Sequence, residues 1–192
     1  ERRRALHGRI VEYIEGQYPD RLMEHVERLA DHARRGELWD RAGSYLQQAG
    51  AKAFTHSANR EAVVWFEQAL QALRHLPETA ETQAEIIDVH LGLRNALTLL
   101  GEHERTLEHL RQAEALAGAG DRARLGRVLS FEANALLLLG RHEQAIDAGR
   151  RARDLANERG DVPLRTATDL YVGRAHLFLG NFQEAIGIFQ GV

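Results

Sequence analysis

Four stretches of this chain repeat one another. GEHERTLEHL from Gly101, GRHEQAIDAG from Gly140 and GNFQEAIGIF from Gly180 align without gaps at intervals of 39 and 40 residues, and a looser copy, SANREAVVWF from Ser57, lies 44 residues before the first. A period of about 40 residues is that of stacked helical hairpins, because one hairpin cannot bury its apolar face alone and its neighbours must complete the core. The expected fold class is therefore all-α, a right-handed α-solenoid of stacked hairpins. Such an object presents surface for binding and relaying rather than a preformed catalytic centre.

The bulk properties agree with an ordered repeat protein. Of 192 residues 44% are hydrophobic and 28% charged, enough for a core and a charged coat. A formal charge of −3, from 25 basic and 28 acidic residues, makes no field that would gather nucleic acid or anionic lipid. Arg2, Arg3 and Arg4 are the only basic run. The absence of cysteine removes disulfides and thiolate metal sites. No apolar stretch nears the roughly 20 residues that span a bilayer, and no charged start leads into an apolar signal segment. No nucleic acid and no membrane are expected as partners, and the cytoplasm is the expected location. The chain opens on Glu1 rather than Met, and its last copy stops about two helical turns short of the others. It reads as an excerpt from a longer polypeptide.

Helical spacing runs almost throughout, without the alternation of a strand. Leu6, Ile10, Val11 and Ile14 line one face of a first helix, which should stop before Tyr18 because Pro19 pushes its predecessor out of the helical region. A second helix is expected over 21–35, with Leu22, Val26, Leu29 and Ala30 on its apolar stripe and Gly36 at its end. Hairpins then follow, 38–56 with 59–75, 80–99 with 102–117, 122–139 with 141–157, and 162–179 with 181–191. Gly101, Gly140 and Gly180 centre tight turns inside the pairs, and short links force antiparallel neighbours. Between pairs, Gly120 and Gly160 should close helices and Asp121 and Asp161 should cap the next ones, with Pro163 in a first turn where its missing N–H costs little.

Residues at matched places explain the packing. Ala62, Thr106, Ala145 and Ala185 are small, as are Ala69, Ala113 and Ala152, so helix axes can approach closely. Phe66, Leu110 and Phe189 should fill the space between hairpins, while Gly149 at the same place marks a thinner contact or a slot for a neighbouring side chain. Gly50, Ala133 and Gly173 share a further place, which Arg94 breaks.

These residues resemble tetratricopeptide repeats, in which a small residue of a first helix pairs with Gly-x-x-x-Glu-Ala-Ile and a later aromatic-x-x-Ala-Leu in the second. Glu184-Ala185-Ile186 and Ala145-Ile146 match, as does Glu61-Ala62-Val63 followed by Phe66, Ala69 and Leu70. The likeness covers about residues 38 to 192, with a period longer than the usual tetratricopeptide unit. LHGRIVE from Leu6, LADHARRGELWDRA from Leu29 and YLQQAGAKA from Tyr45 look like the junction that follows the ATPase module in large bacterial signalling proteins. Those proteins carry a class III adenylate or guanylate cyclase domain, then an AAA/STAND-type ATPase, then tetratricopeptide repeats; a related set begins with a DNA-binding regulator domain. The resemblance implies a junction over residues 1–36 and four hairpins over 37–192, the last truncated. The cyclase aspartates and the ATPase phosphate loop lie outside such a segment, so no catalytic residue carries over.

Ten histidines raise the question of a metal. There is no His-Glu-x-x-His, and His25 and His32 stand about 10 Å apart on one helix, too far for one ion. His103 and His142 recur after a turn and should serve it. The lone lysine, Lys52, follows no strand, and the glycines from Gly118 to Gly126 join two helices, so neither forms a phosphate loop. Ser44, Ser57 and Ser130 lack a nucleophile elbow. No metal, no cofactor and no catalytic residue are expected.

The concave face, formed by the first helix of each pair, is the better candidate. The repeat register puts Ala51, Asn95, Asn134 and Arg174 in one row, Gln47, Leu91, Ser130 and Leu170 in a second, and Phe54, Thr98, Leu137 and Leu177 in a third. Asparagines can bond a peptide backbone whatever its side chains, and Arg174 can hold a carboxylate; the bland alternative is a solvated helix face. The candidate partner-binding residues are Asn95, Asn134, Arg174, Leu91, Leu170 and Phe54. Trp39 and Trp65 read as packing residues rather than interface anchors. Ile186, Ile188 and Phe189 lack a next neighbour, so self-association through the truncated hairpin is possible. The expected function is a non-catalytic interaction and regulatory module of a bacterial ATP-dependent signalling protein. Its partner would be a protein or peptide, the parent's own ATPase or output domain included. The alternative is a small-molecule inducer sensor using the same groove.

Overall fold

The computed structural model describes residues 1–118 and 120–191. Among them the chain is all-helical, with no strand, and its helices pack as successive hairpins. The chain divides into two compact units, Glu1–Leu100 and Gly101–Val192.

The first unit holds α1 (Arg2–Gln17), a 3-10 helix η1 (Pro19–Glu24), α2 (Val26–Arg35), α3 (Trp39–Thr55), α4 (Asn59–Leu73) and α5 (Ala80–Leu99). The second holds α6 (His103–Ala117), α7 (Arg122–Leu138), α8 (His142–Arg159), α9 (Val162–Phe178) and α10 (Phe182–Gln190). From α3 onward every helix end lies within two residues of its expected place. The reading over 21–35 needs correction. Residues 19–24 form the 3-10 turn, with a non-helical Arg21 at φ −130°, and the α-helix starts only after His25. Proline at the start favours that tight turn, and the bend seats Leu22 on the core of the unit. On α1 the inward face is Ile10, Val11 and Ile14, while Leu6 is half exposed.

The turns after α3, α7 and α9 end their helices in the same way. Ala58 N–H reaches Ala53 O and Ser57 N–H reaches Phe54 O, and the paired bonds recur from Arg141 to Leu136 with Gly140 to Leu137, and from Asn181 to His176 with Gly180 to Leu177. This is the Schellman arrangement, which needs a left-handed residue after the helix. Gly140 and Gly180 take positive φ there, Ser57 does so at φ 61° without being glycine, and Gly101 takes positive φ in the turn after α5. Thr79, Asp121 and Asp161 cap α5, α7 and α9 by accepting the N–H of Thr82, Arg124 and Leu164. The glycine that turns back after α6 is Gly118, at φ 44°, rather than Gly120.

Close packing is set by glycines opposite bulky side chains. In the first unit the Phe66 ring is clamped between α3 and α5, where a Cβ on Gly50 or Gly92 would lie 2.8 or 2.7 Å from ring atoms. Gly92 thus supplies the small residue of α5 that the register sought at Arg94. In the second unit Gly149 is a slot filled by Val172, and Gly173 accepts the Phe189 ring. The Thr168 hydroxyl donates to Ser130 Oγ at 2.8 Å and so ties α9 to α7 inside the core.

Candidate interaction surfaces

The face each unit offers follows from which positions the packing consumes. In the first unit Leu91 is buried, and Phe54 is half-buried against the core. Asn95 is half-buried and its carbonyl oxygen accepts from Arg94 Nη1 at 2.8 Å. Arg94 thereby orients the amide instead of packing between hairpins. Leu99, four residues on and on the same helix face as Asn95, is largely exposed. Lys52 is held by Met23 O and by Glu27, each at 2.9 Å, so it pins η1 and α2 to α3. Tyr45 donates to Glu15 at 2.6 Å, and burial together with that bond pushes its hydroxyl up to about 12. Trp39 stacks on His75 with ring centroids 4.0 Å apart, and Trp65 donates to Glu61 while resting on the core, so both pack.

In the second unit Ser130 and Leu137 are buried where α9 crosses α7, while Leu170 and Leu177 at the matched places of α9 are half exposed. Leu91, Ser130 and Leu137 are thus taken up by packing, while the other members of the second and third rows keep part of their surface. The open face of α7 runs instead through Arg127, Phe131, Asn134 and Leu138, spaced three or four apart. Its counterpart on α9 is Ala167, Tyr171, Arg174 and Phe178. Asn134 is half-buried and Arg174 exposed, so both keep polar atoms at a surface flanked by exposed Leu138 and Phe178. Phe178 is held by stacking on His142, centroids 4.9 Å apart and planes 6° from parallel. Sequence reasoning passed over Phe131, Leu138, Tyr171 and Phe178. The signal was present, since they fall at i−3 and i+4 from Asn134 and Arg174, but their apolar character read as core.

A buried charged cluster joins α6 and α7. Glu132 is almost fully buried, Arg111 Nε lies 3.6 Å from its Oε1, and its Oε2 has no hydrogen-bond partner. Burial first, and then the adjacent Glu114, push the Glu132 carboxyl above the usual carboxylate range. Arg151 of α8 pairs with Glu114 at 2.5 Å. Among the described residues no three histidines, aspartates or glutamates come together in a way that could hold a metal ion. Nor, among them, is any helix long and apolar enough to cross a membrane.

No family model matches the sequence, and no curated protein matches it. Solved structures do resemble it. The apo form of RapI superposes with a TM-score of 0.77 at 12% identity, over 88% of this chain and 46% of that one. A Rap conjugation gene regulator of the plasmid pLS20, in complex with the Phr* peptide, gives 0.66 at 18% identity, over 84% of this chain and 43% of that one. A Podosopora anserina putative kinesin light chain with nearly identical TPR-like repeats gives 0.70 at 18%, over 98% of this chain and 90% of that one. The chain thus spans less than half the length of the Rap proteins it resembles, and the likeness shows the tetratricopeptide-like fold.

Proposed function

We propose that this chain is a non-catalytic interaction and regulatory module that binds an extended peptide, or an extended segment of a protein, on the open faces of its first helices. The observation that carries this reading is the face of the second unit in which Asn134 and Arg174 stand among Phe131, Leu138, Tyr171 and Phe178. An asparagine amide offers both a donor and an acceptor to a passing backbone, Arg174 suits a carboxylate, and the apolar residues take side chains. In the first unit Asn95 and Leu99 offer the same pair of chemistries. The likeness to a Rap regulator bound to a Phr* peptide supports a peptide as ligand.

The parent in this reading is a larger bacterial ATP-dependent signalling protein, and the segment bound belongs to its own ATPase or output domain. The resemblance of the stretches from Leu6, Leu29 and Tyr45 to an ATPase-following junction supports that context. A module that binds one nucleotide state better than another shifts the parent toward that state. Two measurements test the reading. ATP hydrolysis by the parent, with and without residues 1–192, should change several-fold, and an unchanged rate would remove the intramolecular partner. In titrations with peptides drawn from the parent, Arg174→Ala should weaken binding of an acidic segment about tenfold or more, the worth of a lost charge-assisted hydrogen bond. Equal affinity of variant and native chain would overturn the assignment of the face.

A further inference from the structure

The first half of α1 is held by polar contacts rather than by buried apolar residues. No side chain of residues 2–9 is buried; the inward face begins at Ile10 and runs on through Val11 and Ile14. Before it, His7 Nδ1 lies 2.8 Å from His32 Nδ1 of α2, with ring centroids 5.1 Å apart, so the rings meet nitrogen to nitrogen rather than face to face. One ring carries its proton on that nitrogen and donates, and the other accepts. One helical turn earlier, Arg4 pairs with Glu37. The backbone is shaped for this meeting. A Cβ on Gly36 would lie 3.2 Å from Gly8 N and 3.5 Å from His7 Cβ, so a side chain there would crowd it. Glu37 stands in left-handed backbone at φ 56° and bears the steric cost of a side chain there while its carboxylate holds Arg4.

The surroundings decide how many protons the pair can hold. A neutral pair shares one N–H, and a singly protonated pair keeps the bond, since an imidazolium donates to an imidazole. A second proton leaves two donors and two like charges facing each other at 2.8 Å. On α1, Arg3 and Arg4 precede His7 by one turn, and on α2, Arg28 and Arg35 flank His32. The C-terminal end of α2 favours a cation, but Arg34 and Arg35 already stand there. The nearby acids are engaged, Asp31 by Arg34 and Arg35 and Glu37 by Arg4. Burial first, and then His7, push His32 below the ordinary histidine value of 6.5; Arg28 and Arg35 push the same way, and Asp31 opposes. The same arginines repel a metal ion, and among the described residues no third histidine, aspartate or glutamate joins the pair to hold one.

We propose that the His7–His32 pair is a proton-sensitive latch, closed while one imidazole stays neutral and open, with residues 2–9 released from α2, once both are charged. The folded chain resists the second proton and the unfolded chain does not. The latch is therefore closed above the unfolded value of 6.5, and its contribution is lost as pH falls through the lowered folded value. The part of α1 from Ile10 onward stays docked by its apolar face. Where α1 joins this module to an ATPase, acid loosens the junction; that consequence rests on the parent proposed above, while the latch itself does not.

The test is amide hydrogen exchange of the whole chain at about pH 7.5 and about pH 5, on either side of the histidine range, read by mass spectrometry and corrected for the intrinsic pH dependence of exchange. Protection of residues 5–9 should fall about tenfold in acid, while that of α3 holds. His32→Gln keeps a polar partner for His7 but cannot take the second proton, so with native helicity it should lose most of this pH dependence. Proton NMR of the native chain should show the two imidazoles titrating as a coupled pair, the second proton entering well below 6.5. Four results would overturn the proposal: equal protection of residues 5–9 at both pH values, acid loosening that reaches α3 equally, loosening that survives undiminished in folded His32→Gln, or two imidazoles that titrate independently as free histidine does.

Discussion

Ser57 stands in left-handed backbone at φ 61°, at the place where the later copies use Gly101, Gly140 and Gly180. A side chain there carries a steric cost of roughly 1–2 kcal/mol, partly offset by the greater chain entropy a glycine loses on folding. Ser57 hydrogen-bonds through its backbone N–H to Phe54 O, a bond any residue can make. Ser57→Gly should therefore stabilise the chain by about 0.5–1 kcal/mol, read as a rise in the denaturation midpoint without a change in slope. A loss of stability would mean that the Schellman turn does not set the local energy. Glycine works differently at Gly149 and Gly173, where the backbone is helical and what matters is the room taken by Val172 and Phe189. The motif made the turn glycines readable in sequence. The packing glycines were readable only as a choice between a thin contact and a slot, because the partner that fills them comes from another helix.

Among the elements, the contact of α6 with α7 carries a pH signature. Glu132 has its pKa raised in the folded chain, by burial first and by Glu114 next, while Arg111 pulls the other way. The folded state therefore holds a proton that the unfolded chain releases above the ordinary carboxylate value of 4.5. Stability from this group is complete below 4.5 and is lost as pH rises through the raised folded value. Glu132→Gln removes the titration while keeping the shape. The variant should match the native chain in acid and exceed it at neutral pH, a divergence seen in denaturant midpoints measured along a pH series. A constant difference at every pH would show that Glu132 does not titrate between the two states. That the place is charged at all was visible in the register, where Leu93 and Val172 are its neighbours in the pattern. Its depth was not, because one acidic residue on an amphipathic helix reads as solvated.

Over the whole molecule, the same position of the second helices meets two fates. Val63 and Phe66 of α4 are 6% and 4% exposed, and their counterparts Ile186 and Phe189 of α10 are 47% and 38% exposed. We propose that this face is where the chain self-associates, since Phe182, Ile186 and Phe189 form a continuous apolar strip. Ile186→Glu should shift sedimentation of a concentrated sample toward the monomer without loss of helicity, and an unchanged distribution would sink the idea. The sequence by itself determined the helices from α3 onward, the turns and the caps, because the 40-residue echo, Schellman glycines and capping aspartates act within a few residues of where they stand. It did not reveal the 3-10 start of α2, since a proline turn and an α-helical turn share one apolar pattern. Nor did it reveal which of the groove rows stay open. A residue's face is legible from helical period, but whether a neighbouring helix covers that face depends on axes and crossing points that side-chain volumes settle jointly. Only the tertiary structure therefore showed that Ser130 and Leu91 are consumed by packing while Phe178 stays largely exposed. It alone brought His7 and His32, 25 residues apart on two helices, into one hydrogen bond.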